Sequence, residues 1–198
     1  MKNFFLVCIL GVFISGCGLQ AIPQAKNEVD ATLAEVTNQY KRRADLVPNL
    51  VATVQGYAGH EKDTLEAVVA ARAKATSVTI DPSNMSAAKL SEFQKAQGSL
   101  SQALGRLMVI SENYPQLKAD RNFSELQAQL EGTENRITVA RNRYIESIKG
   151  FNNLVTVPFS SWTNSLIYHY QSMPQWSVDE SEAKVIQAAP KVDFGNKK

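Results

Sequence analysis

Histidine and cysteine are scarce, with two of each in 198 residues. Cys8 lies in the apolar run that opens the chain and Cys17 directly follows that run. If the leader is removed before Cys17 and that thiol is modified, no free thiol and no disulfide remain. Thiol catalysis and cysteine-ligated zinc are then excluded. Tyr57 and Leu166 stand three residues before His60 and His169, so neither histidine completes the Glu-x-x-His motif of two-iron bundles. His60-Glu61 lacks the second histidine of the zinc-protease pattern. Glycine-rich phosphate loops and the Gly-x-Ser-x-Gly elbow are missing. Ser86-Ala87-Ala88-Lys89 fits the loose Ser-x-x-Lys pattern, but so does Ser181-Glu182-Ala183-Lys184, and Ser86 reads better as a helix N-cap. Charge of one sign is lacking too. Lys+Arg number 21 against 19 Asp+Glu, a formal net charge of +2, which argues against a phosphate-neutralising, nucleic-acid-binding surface. The expectation is a non-enzyme with no metal, no cofactor and no small-molecule substrate.

What is present begins with an address. Lys2 is followed by an apolar run from Phe4 to Phe13 and then Ile14-Ser15-Gly16-Cys17. One cation, an apolar stretch of about ten residues and small residues before a break form an export signal. Ile14-Ser15-Gly16-Cys17 is similar to the bacterial lipobox, in which the cysteine thiol takes a diacylglycerol and becomes the new N-terminus. Residues 1–16 are therefore read as signal peptide and 17–24 as a lipidated tether ending near Pro23. Several acyl chains on Cys17 give durable anchoring where one is marginal. Gly18 is not the aspartate that retains such proteins at an inner membrane, so in an organism with two membranes the periplasmic side of the outer membrane is expected. The alternative is an uncleaved anchor from Phe4 to Ile22.

Behind the tether the periodicity is helical throughout. Val29, Leu33, Val36, Tyr40, Val47, Leu50, Val54, Tyr57, Leu65 and Val68 recur in steps that mark one helical face. A helix over residues 25–76 would be about 78 Å long, with a kink or a division at Pro48. Asp81-Pro82-Ser83-Asn84 is turn chemistry. A second segment runs from Leu90 through Phe93, Leu100, Leu104, Leu107 and Ile110 to Tyr114, halted near Pro115. A third starts at Asn122, read as a cap with Glu125 as its reciprocal partner. It continues through Phe123, Leu130, Ile137, Tyr144, Ile148 and Phe151 to Val155. Phe159, Trp162, Leu166 and Tyr170 suggest a short fourth helix. Alternating β-patterns are missing, so the expected class is all-α: an elongated antiparallel bundle over residues 25–172, with a mobile tail over 173–198.

Arg43 and Glu61 occupy positions where the first stripe calls for apolar residues, and Glu134, Arg136 and Arg141 lie inside the third helix. Buried charges are costly unless paired. One reading is a polar layer in which Asp45 or Glu61 meets Arg136 or Arg141 and sets register between helices. The other is solvated flanks whose aliphatic stems cover the core. The aromatic residues Phe159, Trp162, Tyr168, Tyr170 and Trp176 suit a membrane interface. With one helix rising from the anchor, a second descending and a third rising, however, Val155 falls far from the bilayer. The patch is then expected to cap the distal end or meet a partner.

Tyr40-Lys41-Arg42-Arg43-Ala44-Asp45-Leu46-Val47-Pro48-Asn49-Leu50-Val51 resembles the signature of the LemA family. Gly56-Tyr57-Ala58 with His60-Glu61, Ala71-Arg72-Ala73, and Glu112-Asn113-Tyr114-Pro115-Gln116-Leu117-Lys118-Ala119 with Asn122-Phe123 resemble it as well. So do Thr133-Glu134-Asn135-Arg136-Ile137 with Ala140-Arg141, and Ala189-Pro190-Lys191-Val192-Asp193-Phe194. The resemblance covers roughly residues 26–194. It implies an elongated antiparallel bundle, membrane-anchored at its N-terminus, with no established catalytic activity and no active site to transfer. Many relatives look like single-pass proteins, whereas Cys17 here sits in a lipobox. The expected role is a scaffold that meets an envelope protein or a second copy. The alternative is an adaptor for a membrane protease or transporter, docking through Val192, Asp193 and Phe194.

Overall fold

The structure, a computed structural model, describes residues 2–82, 85–158 and 160–176, with side chains described from residue 20 onward. Every regular element among the described residues is helical, the all-α class read from the sequence. The elements are α1 (Lys2–Tyr57), α2 (Lys62–Ser77), α3 (Ala87–Ser111), the single turn α4 (Pro115–Lys118), α5 (Arg121–Thr156) and the single turn α6 (Ser160–Thr163). A π turn, Asn164–Tyr168, follows α6 directly.

The frame is an antiparallel pair, α1 against α5. On α1 the buried positions Ile22, Val29, Leu33, Val36, Tyr40, Arg43, Val47, Leu50 and Val54 form a heptad-like seam. On α5 Phe123, Leu130, Ile137, Tyr144 and Phe151 fall one heptad apart, with Thr133, Ala140, Ile148 and Val155 between or beyond them. Three contacts fix the register. Arg43 pairs with Glu134, Arg143 Nη1 donates to Glu35 Oε1 at 2.9 Å, and the Thr32 and Ser147 hydroxyls share a hydrogen bond of 2.8 Å. The α2–α3 hairpin packs beside the upper part of α1. It closes a distal core that includes Val47, Leu50, Val54, Leu104, Leu107, Leu117 and Phe123. A proximal core, from Ile22 to Tyr40 on α1 and from Ile137 to Val155 on α5, fills the lower part.

The long first segment divides at a different place from the one Pro48 suggested. α1 passes through both Pro23 and Pro48 and ends at Tyr57, and Ala58–Glu61 reverse the chain. Pro48 has no amide hydrogen, which removes the intrahelical partner of the Ala44 carbonyl. That oxygen is not left bare, because Arg72 Nε donates to it at 2.8 Å from α2. The proline ring itself is exposed, facing away from the core. Arg72→Ala is therefore expected to cost about 1 kcal/mol in the natural chain. The cost should nearly vanish in a Pro48→Ala background, where the amide of residue 48 can bond to Ala44 instead. A double-mutant cycle in urea reads the coupling directly.

Four further expectations are corrected. Residues 17–24, read as a tether, belong to α1, since both the core seam and the helix reach back through Pro23. The cap of α5 is Asp120, not Asn122: its carboxylate accepts from Phe123 N at 2.9 Å, two positions earlier than the sequence pattern indicated. Pro115 starts the turn α4 after α3 has ended at Ser111. The tail does not begin at residue 173, because residues 169–176 run back along α5. There Asn152 exchanges two hydrogen bonds with the Met173 backbone, at 2.9 and 2.8 Å. Buried Asn164 does the same with Tyr170, at 2.8 and 3.0 Å. His169, at φ 56°, makes the left-handed reversal that launches this strap. Ser86 behaves as read, accepting from Lys89 N at 3.2 Å.

The reversal at Ala58–Glu61 has a larger consequence. It adds one direction change, so α5 descends rather than rises. Val155 packs in the same cluster as Ile22. The chain after Val155, expected at the far end, lies beside the N-terminal part of α1.

Asp120 also titrates informatively. The Phe123 amide, and after it the Tyr57 hydroxyl that donates at 2.8 Å, hold its carboxyl below the ordinary carboxylate range. A lowered folded-state value means the stabilisation is present above about pH 4 and lost as pH falls through that range. Wild type is expected to lose more melting temperature than Asp120→Asn when acidified from about pH 6 to about pH 3, since asparagine caps without titrating.

Candidate functional site

The charged residues singled out in the sequence do form a polar layer, with different pairings. Arg43 reaches inward from α1 and is only 1% exposed. Its Nη1 donates to Ser101 Oγ at 2.7 Å and to Glu134. Its Nη2 donates to the Gln97 carbonyl at 3.1 Å and to Gln97 Oε1 at 2.9 Å. Gln97 Nε2 in turn donates to the Ala75 carbonyl at 3.0 Å. One guanidinium thus ties α1 to α3 and α5, and through Gln97 to the end of α2. Arg43 Nε is buried without a hydrogen-bond partner among the described residues. Its guanidinium carbon lies 5.1 Å from the Tyr40 ring centroid.

The other predicted partners fall elsewhere. Asp45 is exposed; two positions beyond Arg43, it is turned about 200° around the helix. Arg136 is displaced from Glu134 in the same way and is also exposed. Glu61 leaves α1 altogether at the reversal and accepts from the Tyr114 hydroxyl at 3.0 Å, which raises that phenol's pKa. Arg141, one heptad from Glu134, stays near the layer with its guanidinium carbon 5.9 Å from the Trp176 ring. Val192, Asp193 and Phe194 lie outside the described residues, as does the side chain of Cys17.

Below Arg43 the layer passes into an aromatic cluster. Trp176, at the end of the strap, stacks on Tyr40 with centroids 6.5 Å apart. It meets Phe93 and Tyr144 edge-on at 6.4 and 6.0 Å. Burial pushes the Tyr40 phenol up, while the Arg141 and Arg43 cations pull it partly back. Burial also raises Tyr144, whose hydroxyl donates to the Met85 sulfur at 2.9 Å. Both phenols therefore stay protonated at neutral pH and are poor general bases. A groove of about 580 Å³ opens over the layer, with Tyr40, Arg43, Glu134, Arg141 and Trp176 among its lining residues. Among the described residues no cluster of His, Cys, Asp and Glu could hold a metal ion.

Gln97 and Ser101 were not singled out from the sequence. The signal for Gln97 was present as the seven-residue gap between Phe93 and Leu100, where a polar residue takes an inward position. Trp176 as a partner of Arg141 carried no sequence signal, because the strap is not periodic.

The fold and this layer define an antiparallel helical bundle built on one long seam, with a buried cation tying α1 to α3 and α5. The family model described as the LemA family matches residues 32–194, and the chain belongs to that family. The LemA family is not known as a family of enzymes. No curated protein matches the chain.

Proposed function

We propose that this LemA-family protein is a non-enzymatic, membrane-anchored helical scaffold of the bacterial cell envelope. In this reading it is lipidated at Cys17 and presents its bundle to an envelope protein or to a second copy. One observation carries the reading. α1 is a single helix from Lys2 to Tyr57, so the segment containing Cys17 and the core seam that starts at Ile22 share one element. Cys17 and Ile22 are then about 8 Å apart along the axis. An anchored N-terminus would hold the bundle directly at the bilayer rather than on a long leash. The engagement of Arg43 by Ser101, Gln97 and Glu134 is in keeping with a structural use of the family motif.

Metabolic labelling with a fatty-acid analogue tests the anchor. Wild type is expected to incorporate label and to fractionate with membranes, and Cys17→Ser to lose both. Incorporation unaffected by the substitution removes the lipid from the proposal. In-cell crosslinking of the anchored form is then expected to trap a defined partner or a dimer. An anchored chain that stays monomeric and alone removes the scaffold. The adaptor reading, with docking through Val192, Asp193 and Phe194, draws on residues outside those described.

A further inference from the structure

We propose that the segment after α5 forms a second membrane contact, in which α6 and the π turn lie in the headgroup zone of the bilayer beside the N-terminal anchor. This rests on the membrane-anchored reading above. Among the described residues of this segment Val157 is exposed by 50%, Trp162 by 63%, Leu166 by 79% and Ile167 by 54%. They fall within eleven consecutive positions, Val157 at the end of α5 and the other three on two short turns, where an isolated exposed apolar residue would need no explanation.

Their place in the fold gives them a bilayer as occupant. The α1–α5 register sets the end of α5 level with Ile22, and α6 packs on both α1 and α5. From that same level α1 continues toward Cys17, the lipid-bearing residue of that reading. Charge points the same way. The sequence from Cys17 to Ala25 contains no Asp, Glu, Lys or Arg, and neither does the sequence from Gly150 to Tyr168. The register brings these two charge-free stretches together at one end of the bundle. Lys26 and Lys149 open the charged part above them. The opposite end, around the Ala58–Glu61 reversal, carries Lys62, Asp63, Glu112, Lys118 and Arg121. A molecule whose anchored end alone lacks charge and exposes tryptophan, leucine and isoleucine has the surface that the bilayer interface selects. Among the described residues no helix is long and apolar enough to cross a membrane, which fits a contact lying on the surface and not through it.

The protein contains two tryptophans, and Trp176 is packed in the aromatic cluster. In full-length Trp176→Phe, Trp162 is the sole tryptophan reporter. The protein is reconstituted into vesicles of phosphatidylethanolamine and phosphatidylglycerol carrying brominated lipids. Trp162 emission is expected to shift to the blue and to lose most of its intensity to bromines near the headgroup, and less to bromines near the acyl terminus. Val109, 70% exposed at the far end of α3, supplies the control. A Val109→Trp chain with both natural tryptophans replaced by phenylalanine is expected to show neither effect.

Trp162 emission quenched from water by acrylamide as readily as that control would overturn the proposal. So would protection that appears only as the protein-to-lipid ratio rises, which would make the patch an interface between copies. Strongest quenching by bromines at the acyl terminus would overturn the surface placement. A chain that fails to float with the vesicles defeats the anchored reading and this inference with it, whereas a floating chain with unquenched Trp162 defeats this inference alone. Should Trp176→Phe fail to fold, the difference between wild-type and Trp162→Phe spectra isolates the same signal.

Discussion

Arg43→Ala is expected to lower the unfolding free energy by about 3 kcal/mol, through the cavity it leaves and the Gln97 groups it strands. Urea denaturation measures this directly. The comparison with two further variants separates charge from volume. Arg43→Met keeps most of the side chain's bulk and removes the charge together with its desolvation. It is expected to stay within about 1 kcal/mol of wild type, as apolar replacements of buried ion pairs often do. Glu134→Ala is expected to cost about 2 kcal/mol although Glu134 itself is half exposed, because it leaves a nearly buried guanidinium without its counter-charge. A glutamate on the surface that matters more than its own exposure suggests is the mark of this layer. If Arg43→Met is as damaging as Arg43→Ala, the cation adds stability outright. If Arg43→Met is well folded but sediments as mixed oligomers, the cation specifies register, the best-attested use of a polar residue at a heptad core position.

The second large effect is expected at Trp176. Its ring bridges Tyr40, Phe93 and Tyr144 and lies under the Arg141 guanidinium. Trp176→Ala should cost about 3 kcal/mol, at the low end for buried aromatics because the ring is only partly buried. The loss is local: the strap over residues 169–176 is expected to release while the α1–α5 seam survives. Limited proteolysis should therefore show new cleavage in that strap before any cleavage in α5, and near-UV circular dichroism should lose intensity with far-UV helicity retained. Simultaneous cleavage of strap and α5 would mean that the strap is part of the seam's own stability.

How much of this was legible in the sequence differs by element. α5 was readable almost residue by residue, because Phe123 to Val155 buries one continuous stripe and tertiary structure adds nothing that contradicts it. α1 was readable as a stripe but not as a length. Pro48 is a stronger local breaker than Gly56 or Gly59, so the local signal puts a kink or a division at the proline. The compensating donor, Arg72, lies on another helix, where local propensity has no access to it. Reading residues 25–76 as one rising segment leaves out the reversal at Ala58–Glu61, which inverts every later direction and with it the assignment of the aromatic segment to the distal end. The polar layer was visible as Arg43 in an apolar register position. Its partners Gln97 and Ser101 were not, since pairing across helices depends on rotation about each axis. Asp45 and Arg136 failed for that same reason.

The hydrogen bond from Arg72 to the Ala44 carbonyl has a dynamic consequence. In an ordinary helix each carbonyl is satisfied within its own element, so a neighbouring hairpin can peel away and leave the helix intact. At Pro48 the helix has given up that self-sufficiency, and its upper part is complete only while α2 is docked. Detachment of the α2–α3 hairpin and fraying of upper α1 thereby become one event rather than two. The distal part of a long, slender molecule is joined into a single cooperative unit with the hairpin that braces it.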